Sequence, residues 1–113
     1  MAGYRYRITV EPLTDKKGQP LEKDTLTFET ENHDEILGIV EKLANRDDLF
    51  GREKNISFAV GLKLFSETYI ENIKHPQFAP LRAPFKDFMM LLKRGKVRDR
   101  GEGTDEDKQD NES

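Results

Sequence analysis

The chain has 113 residues, 36% of them charged and 35% hydrophobic, with a formal net charge of −3 and no cysteine. Those numbers exclude disulfides, thiolate catalysis and iron–sulfur or zinc-thiolate sites, and they disfavour a dedicated nucleic-acid binder, which carries a basic excess. No run approaches the roughly 18 apolar residues that a membrane span requires, and the opening Met1-Ala2-Gly3-Tyr4-Arg5 has no apolar signal core.

Strict alternation marks the start of the chain. Side chains on a strand point to opposite faces with period two, so Tyr4, Tyr6, Ile8 and Val10 share one face and Arg5, Arg7, Thr9 and Glu11 the other. Asp15, Gly18 and Pro20 then mark a turn. A second alternating run follows, with Leu26 and Phe28 opposite Thr25, Thr27 and Glu29, and the pair reads as an antiparallel hairpin with a long connection. A lone hairpin is unstable in water, which requires its apolar face to pack on something.

Asn32 has the chemistry of a helix N-cap, with Glu35 three residues on. An amphipathic helix is predicted from there to about Ala44, with Ile36, Leu37, Ile39, Val40, Leu43 and Ala44 on one side. A polar loop over 45–55 follows, with Leu49-Phe50 as its anchor. A longer helix from about Ile56 to Lys74 carries Phe58, Leu62, Phe65, Tyr69 and Ile73 as its apolar stripe, and His75-Pro76 stops it. The third helix runs from near Leu81 to Arg94, tolerating Pro84 in its first turn and presenting Phe85, Phe88, Met89 and Leu92. The order β-β-α-α-α defines an α+β fold: an antiparallel hairpin packed against three helices in one domain over 1–94.

From Gly95 on, Val97 is the last apolar side chain. Residues 93–100 hold five cations against Asp99, a net of +4, and residues 101–113 hold six acids against Lys108, a net of −5. Such a composition cannot offset its ordering entropy by burial, so 95–113 reads as a disordered charged tail.

Catalytic patterns are missing. His33 and His75 have no ligand partner at a metal-binding spacing. His33 reads as an exposed residue at a helix start, and His75 as a cation at a helix end. Asp47-Asp48 lacks the alternating ligands of a calcium loop, and neither a phosphate-cradling glycine loop nor a nucleophile elbow is present. No enzymatic activity, metal or cofactor is expected.

Two surfaces remain as candidate sites. Arg5 and Arg7 share the outer hairpin face and have the planar forks that bind carboxylates and phosphates, so an anionic ligand or nucleic acid could dock there with help from residues 93–100. The plainer alternative is cross-strand pairing with Glu11, Glu22 or Glu29. The second surface is surplus apolar residues on the last two helices: Val60 and Leu64 lie away from the aromatic stripe, Met90 lies opposite Phe85, and Leu91 at the stripe's margin. Either the fold packs them or they contact a partner, including a second copy of the chain.

Tyr6-Arg7-Ile8-Thr9-Val10-Glu11-Pro12, Asn32-His33-Asp34, the run from Ala59 to Phe65, and His75-Pro76 before Phe78-Ala79-Pro80-Leu81 resemble a small bacterial family, domain of unknown function 3861. The resemblance spans about residues 4–93 and carries no assigned activity. It implies a compact, single-domain, cytoplasmic bacterial protein. The leading expectation is a non-enzymatic protein-interaction or accessory module that contacts a protein partner or a second copy through Val60, Leu64, Met90 and Leu91; the alternative is a binder of an anionic ligand or nucleic acid through Arg5, Arg7 and the basic segment 93–100.

Overall fold

The computed structural model describes residues 3–94, which divide into two compact units at the Glu35–Ile36 junction. The expected tail over 95–113 lies outside the described residues. The elements are a two-stranded antiparallel hairpin followed by three α-helices, with a 3₁₀ turn before the last.

In the first unit, β1 (Tyr4–Val10) pairs with β2 (Leu26–Asn32) in a register that sets Ile8 against Phe28 and Val10 against Leu26. Arg5 opposes Glu31 and Arg7 opposes Glu29 on the other face. The alternation therefore sorts apolar from charged side chains, because directly opposed residues share a face. Tyr6 and Ile8 are half-buried, while Tyr4 and Val10 at the strand ends are exposed. The long connection is ordered around one side chain. Asp15 Oδ1 accepts from the Lys17 and Gln19 amides at 2.8 and 3.0 Å, and the Asp15 amide donates to the Gln19 carbonyl at 2.8 Å. Gly18 supplies the positive φ of +84° that closes the turn.

The strand β2 runs further than its alternation suggested and consumes Asn32. That residue does not cap a helix. It is buried, and its Oδ1 accepts from the Asp34 amide at 3.0 Å to turn the chain out of the sheet. The first helix accordingly starts four residues later.

In the second unit, α1 (Ile36–Ala44) buries Ile36, Leu43 and Ala44, while Leu37, at the edge of its apolar arc, is exposed. The helix α2 spans Arg52–Glu71 and begins four residues before its apolar pattern. Its most buried positions are Asn55, Ala59, Ser66, Glu67 and Tyr69, so the aromatic stripe is not its deepest face. A small residue such as the fully buried Ala59 lets a neighbouring backbone approach closely, which rings do not.

Asn55 joins α1 to α2. It donates through Nδ2 to the carbonyls of Leu43 at 2.9 Å and Arg46 at 3.2 Å, and its Oδ1 accepts from the Phe50 amide at 2.9 Å. One buried amide thus satisfies three backbone groups at the helix turn. Leu49 is half-buried, and Phe50 is exposed on one side with its ring edge against Phe58 at 5.4 Å.

After α2 the chain makes the 3₁₀ turn Pro76–Leu81 and enters α3 (Arg82–Arg94). His75 acts differently from its reading as a dipole-compensating cation. Its Nδ1 accepts from the Gln77 amide at 3.0 Å, capping the turn that follows rather than the helix that precedes. The helix α2 ends at Glu71, three residues short of its predicted end near Lys74, and Arg82 serves the turn that follows, donating from Nη1 to the Ile73 carbonyl at 2.6 Å.

Candidate functional site

On the hairpin, the two arginines are engaged by carboxylates. Glu29 accepts from Arg5 on Oε1 and from Arg7 on Oε2 at 3.0 Å, and Arg5 also donates to Glu31 Oε2 at 3.3 Å. All four side chains are largely exposed. The Arg7 hydrogen bond, then that of Arg5, holds the Glu29 carboxyl below the ordinary glutamate range. Glu29, which no catalytic or binding pattern marks, is thus the hub of this face. An incoming anion at Arg5 or Arg7 would compete with a carboxylate already in place. Of the basic segment 93–100, only Lys93 and Arg94 fall within the described residues.

His33 is half-exposed, with its Nε2 3.5 Å from Asp34 Oδ2. Among the described residues, no group of three or more His, Asp or Glu side chains converges as a metal site would require.

The helical unit presents a row of rings. Phe50 meets Phe58 edge-on, Phe58 meets Phe88 at 6.3 Å, and Phe88 stacks beside Phe85 at 6.1 Å. Phe85 lies 4.6 Å from Tyr69 and 5.9 Å from Phe65, and Tyr69 meets Phe78 edge-on at 5.2 Å. The residues come from the loop before α2 (Phe50), from α2, from the 3₁₀ turn and from α3, brought together by the helical spacing of Phe58, Phe65 and Tyr69 and of Phe85 and Phe88. Such ring pairs each contribute about 0.5–1.5 kcal/mol beyond area burial.

Half of this row is covered and half is open. Tyr69 is buried and Phe58, Phe78 and Phe85 are half-buried, whereas Phe50, Phe65 and Phe88 are exposed. No residue of α3 is buried. Of the four predicted contact residues, Val60 and Leu64 are half-buried on α2, and Met90 and Leu91 are exposed on α3. Leu91 lies one turn beyond Phe88 and extends its face. The exposed rings were not among the predicted contacts, because an aromatic stripe at helical spacing reads as core. An open hollow of about 550 Å³ lies at one end of the row, lined by Phe50, Glu53, Lys54, Ser57 and Phe58.

Hairpin and helices together define an α+β protein. The chain belongs to the DUF3861 family, a domain of unknown function with a solved structure, whose family model matches residues 4–94. It is similar to the crystal structure of a protein of unknown function (eca1910) from Pectobacterium atrosepticum SCRI1043, with 39% identity and a TM-score of 0.68 over 82% of this chain and 99% of that one. No match was found among curated proteins. No described helix is long and apolar enough to cross a membrane.

Proposed function

We propose that the chain is a non-enzymatic protein-interaction module of the bacterial cytoplasm, and that its contact surface is the open side of the α2–α3 ring row. The carrying observation is α3 itself: a 13-residue amphipathic helix with five large apolar residues from Phe88 to Leu92 that buries none of them fully. Helices of this length are marginal on their own and gain most of their stability from packing an apolar face. Contiguous apolar surface of this kind, rimmed by charges, is the ordinary signature of a protein contact. The absence of cysteine fits a reducing compartment, and the similar chain from Pectobacterium comes from a bacterium.

The test is site-specific photo-crosslinking in cells. A photoreactive side chain is placed at Leu91 or Phe88, with Lys16 in the hairpin turn as control. Adducts at 88 and 91 and none at 16 support the reading. Equal labelling at all three positions, or none at 88 and 91, overturns it.

A further inference from the structure

We infer that α3 is a strap: it opens from α1 and α2 as one unit, pivoting where it leaves the 3₁₀ turn, while the α1–α2 pair stays folded. Three features of the helical unit carry this.

The first is a difference in burial. The helix α1 buries Ile36, Leu43 and Ala44, and α2 buries Asn55, Ala59, Ser66, Glu67 and Tyr69, whereas none of the 13 residues of α3 is buried. Phe85, Met89 and Leu92 are half-buried, and Phe88, Met90 and Leu91 are exposed. The helix α3 therefore leaves without drawing an enclosed side chain of its own into water. Segments with few buried apolar contacts open at a free energy below that of the whole fold.

The second is the way the two ends of α3 are held. At its start, Arg82 donates to the Ile73 carbonyl at 2.6 Å, and Phe78 of the 3₁₀ turn lies on Tyr69 at 5.2 Å, so this end is pinned. Pro84, in the first turn, has no amide with which to reach the Pro80 carbonyl, and the backbone ladder lacks a rung there. At the far end the Arg46 fork reaches the Leu92 carbonyl at 2.8 Å from a loop. A pinned end with a missing rung and a far end held by one side chain make a hinge and a latch.

The third is separability. The polar joint between α1 and α2 is made without α3, since Asn55 bonds the Leu43 and Arg46 carbonyls and the Phe50 amide. The ring contacts of α3 are those of Phe85, 4.6 Å from Tyr69 and 5.9 Å from Phe65, and of Phe88, 6.3 Å from Phe58. Opening breaks these and leaves the Asn55 bonds whole. It takes Phe85 off the buried Tyr69, so the strap sets how much of the aromatic face of α2 is covered.

The experiment is hydrogen exchange of the full-length chain in rising urea, below the unfolding transition, read amide by amide by NMR. A 13-residue helix is marginal once detached, so its amides exchange when the strap opens. The expected result is one common opening line for residues 88–93. They exchange at least roughly a hundredfold faster than the slowest amides of α2, with a shallower urea slope. Ala59→Gly supplies the second reading. Ala59 lies one turn after Asn55 on the same face of α2, and that helix is kept when α3 opens. The variant is expected to speed the slowest α1 and α2 amides about fivefold and to leave residues 88–93 unchanged. A single line shared by all three helices overturns the strap. So does exchange that fades residue by residue from Arg94 inward with no urea slope, which is fraying. Equal acceleration of residues 88–93 in Ala59→Gly overturns it as well. Should that variant fail to fold, the wild-type lines decide alone.

Discussion

The Arg46 guanidinium donates from Nη1 to the Leu92 carbonyl at 2.8 Å while its Nε and Nη2 grip both oxygens of Asp48. A residue of the loop between α1 and α2 therefore holds the last turn of α3, 46 positions away in sequence. Its side chain is mostly buried, and Asp48 fixes the fork so that the third donor points at an orphan carbonyl of the helix end.

Arg46→Ala removes that tether. Hydrogen bonds from charged donors are worth about 1.5–3 kcal/mol, so urea unfolding is expected to report a loss of roughly 2 kcal/mol. The loss should be uneven. Amide exchange in the last turn of α3 rises before that of α1, because the contacts of Arg82, Phe85 and Phe88 all lie earlier in α3. Arg46→Lys, with one point charge and no fork, restores only part of it. Uniform acceleration across α1, α2 and α3 would dismiss the tether.

Asn55 is the more costly position. It is fully buried, and truncation to alanine takes the side-chain partner from the Phe50 amide and the Arg46 carbonyl, while the Leu43 carbonyl keeps the Arg46 amide. An unsatisfied buried group costs about 1–3 kcal/mol, so Asn55→Ala is expected to lower stability by roughly 3 kcal/mol and Tm by more than about 10 °C. Asn55→Asp should be no better, since it keeps the acceptor, loses both donors and buries a charge. Thermal melts followed by circular dichroism decide it, and an Asp variant as stable as wild type would contradict the assignment.

The hairpin has its own pH dependence. Arg7 and then Arg5 hold the Glu29 carboxyl below its unfolded value. A group with a depressed folded pKa contributes stability that is fully present above the unfolded pKa and lost as pH falls through the folded one. The cross-strand cluster therefore loosens only below the usual glutamate range. Carboxyl NMR titration of Glu29 should give a midpoint below that range, moving back up in Arg7→Ala and also in high salt, because the cluster is exposed. A midpoint indifferent to Arg7→Ala would remove the pairing.

How legible these features were differs with the physics. Period-two alternation encodes face directly, so the hairpin, its two faces and the opposition of Arg7 to an acid were readable from Tyr4 to Glu29. Asn32 misled because the same side-chain oxygen serves an N-cap and a strand exit, and only the backbone decides which. The start of α2 was invisible for a different reason. Arg52-Glu53-Lys54-Asn55 has no apolar periodicity, since its one buried residue is a polar keystone whose partners are carbonyls outside its own helix. The candidate contact face was half readable. Met90 and Leu91 stand off the stripe of α3 and are exposed, but Phe65 and Phe88 lie on stripes and read as core. Helical spacing tells which side chains share a face, not how far the neighbouring helix covers it.

Two glycines of the second unit make the last prediction, because the same substitution should act in opposite directions. Gly61 lies inside α2 at ordinary helical geometry, and a methyl group there would meet nothing within 4 Å. Glycine in a helix interior costs about 0.5–1 kcal/mol relative to alanine, so Gly61→Ala is expected to stabilise by that amount. Gly51 also has free space, but its φ is +96°, where an L side chain is strained. Its position just before Arg52 sets the angle at which the chain enters α2, and Asn55 depends on that entry because its amide donates to the Gly51 carbonyl at 2.8 Å. Gly51→Ala should therefore destabilise by about 1–2 kcal/mol despite the empty surroundings. Urea unfolding of the two variants beside wild type checks both signs. A stabilising Gly51→Ala would mean that the turn before α2 relaxes away from positive φ, and the Asn55 hydrogen bonds would then have to be made from a different backbone.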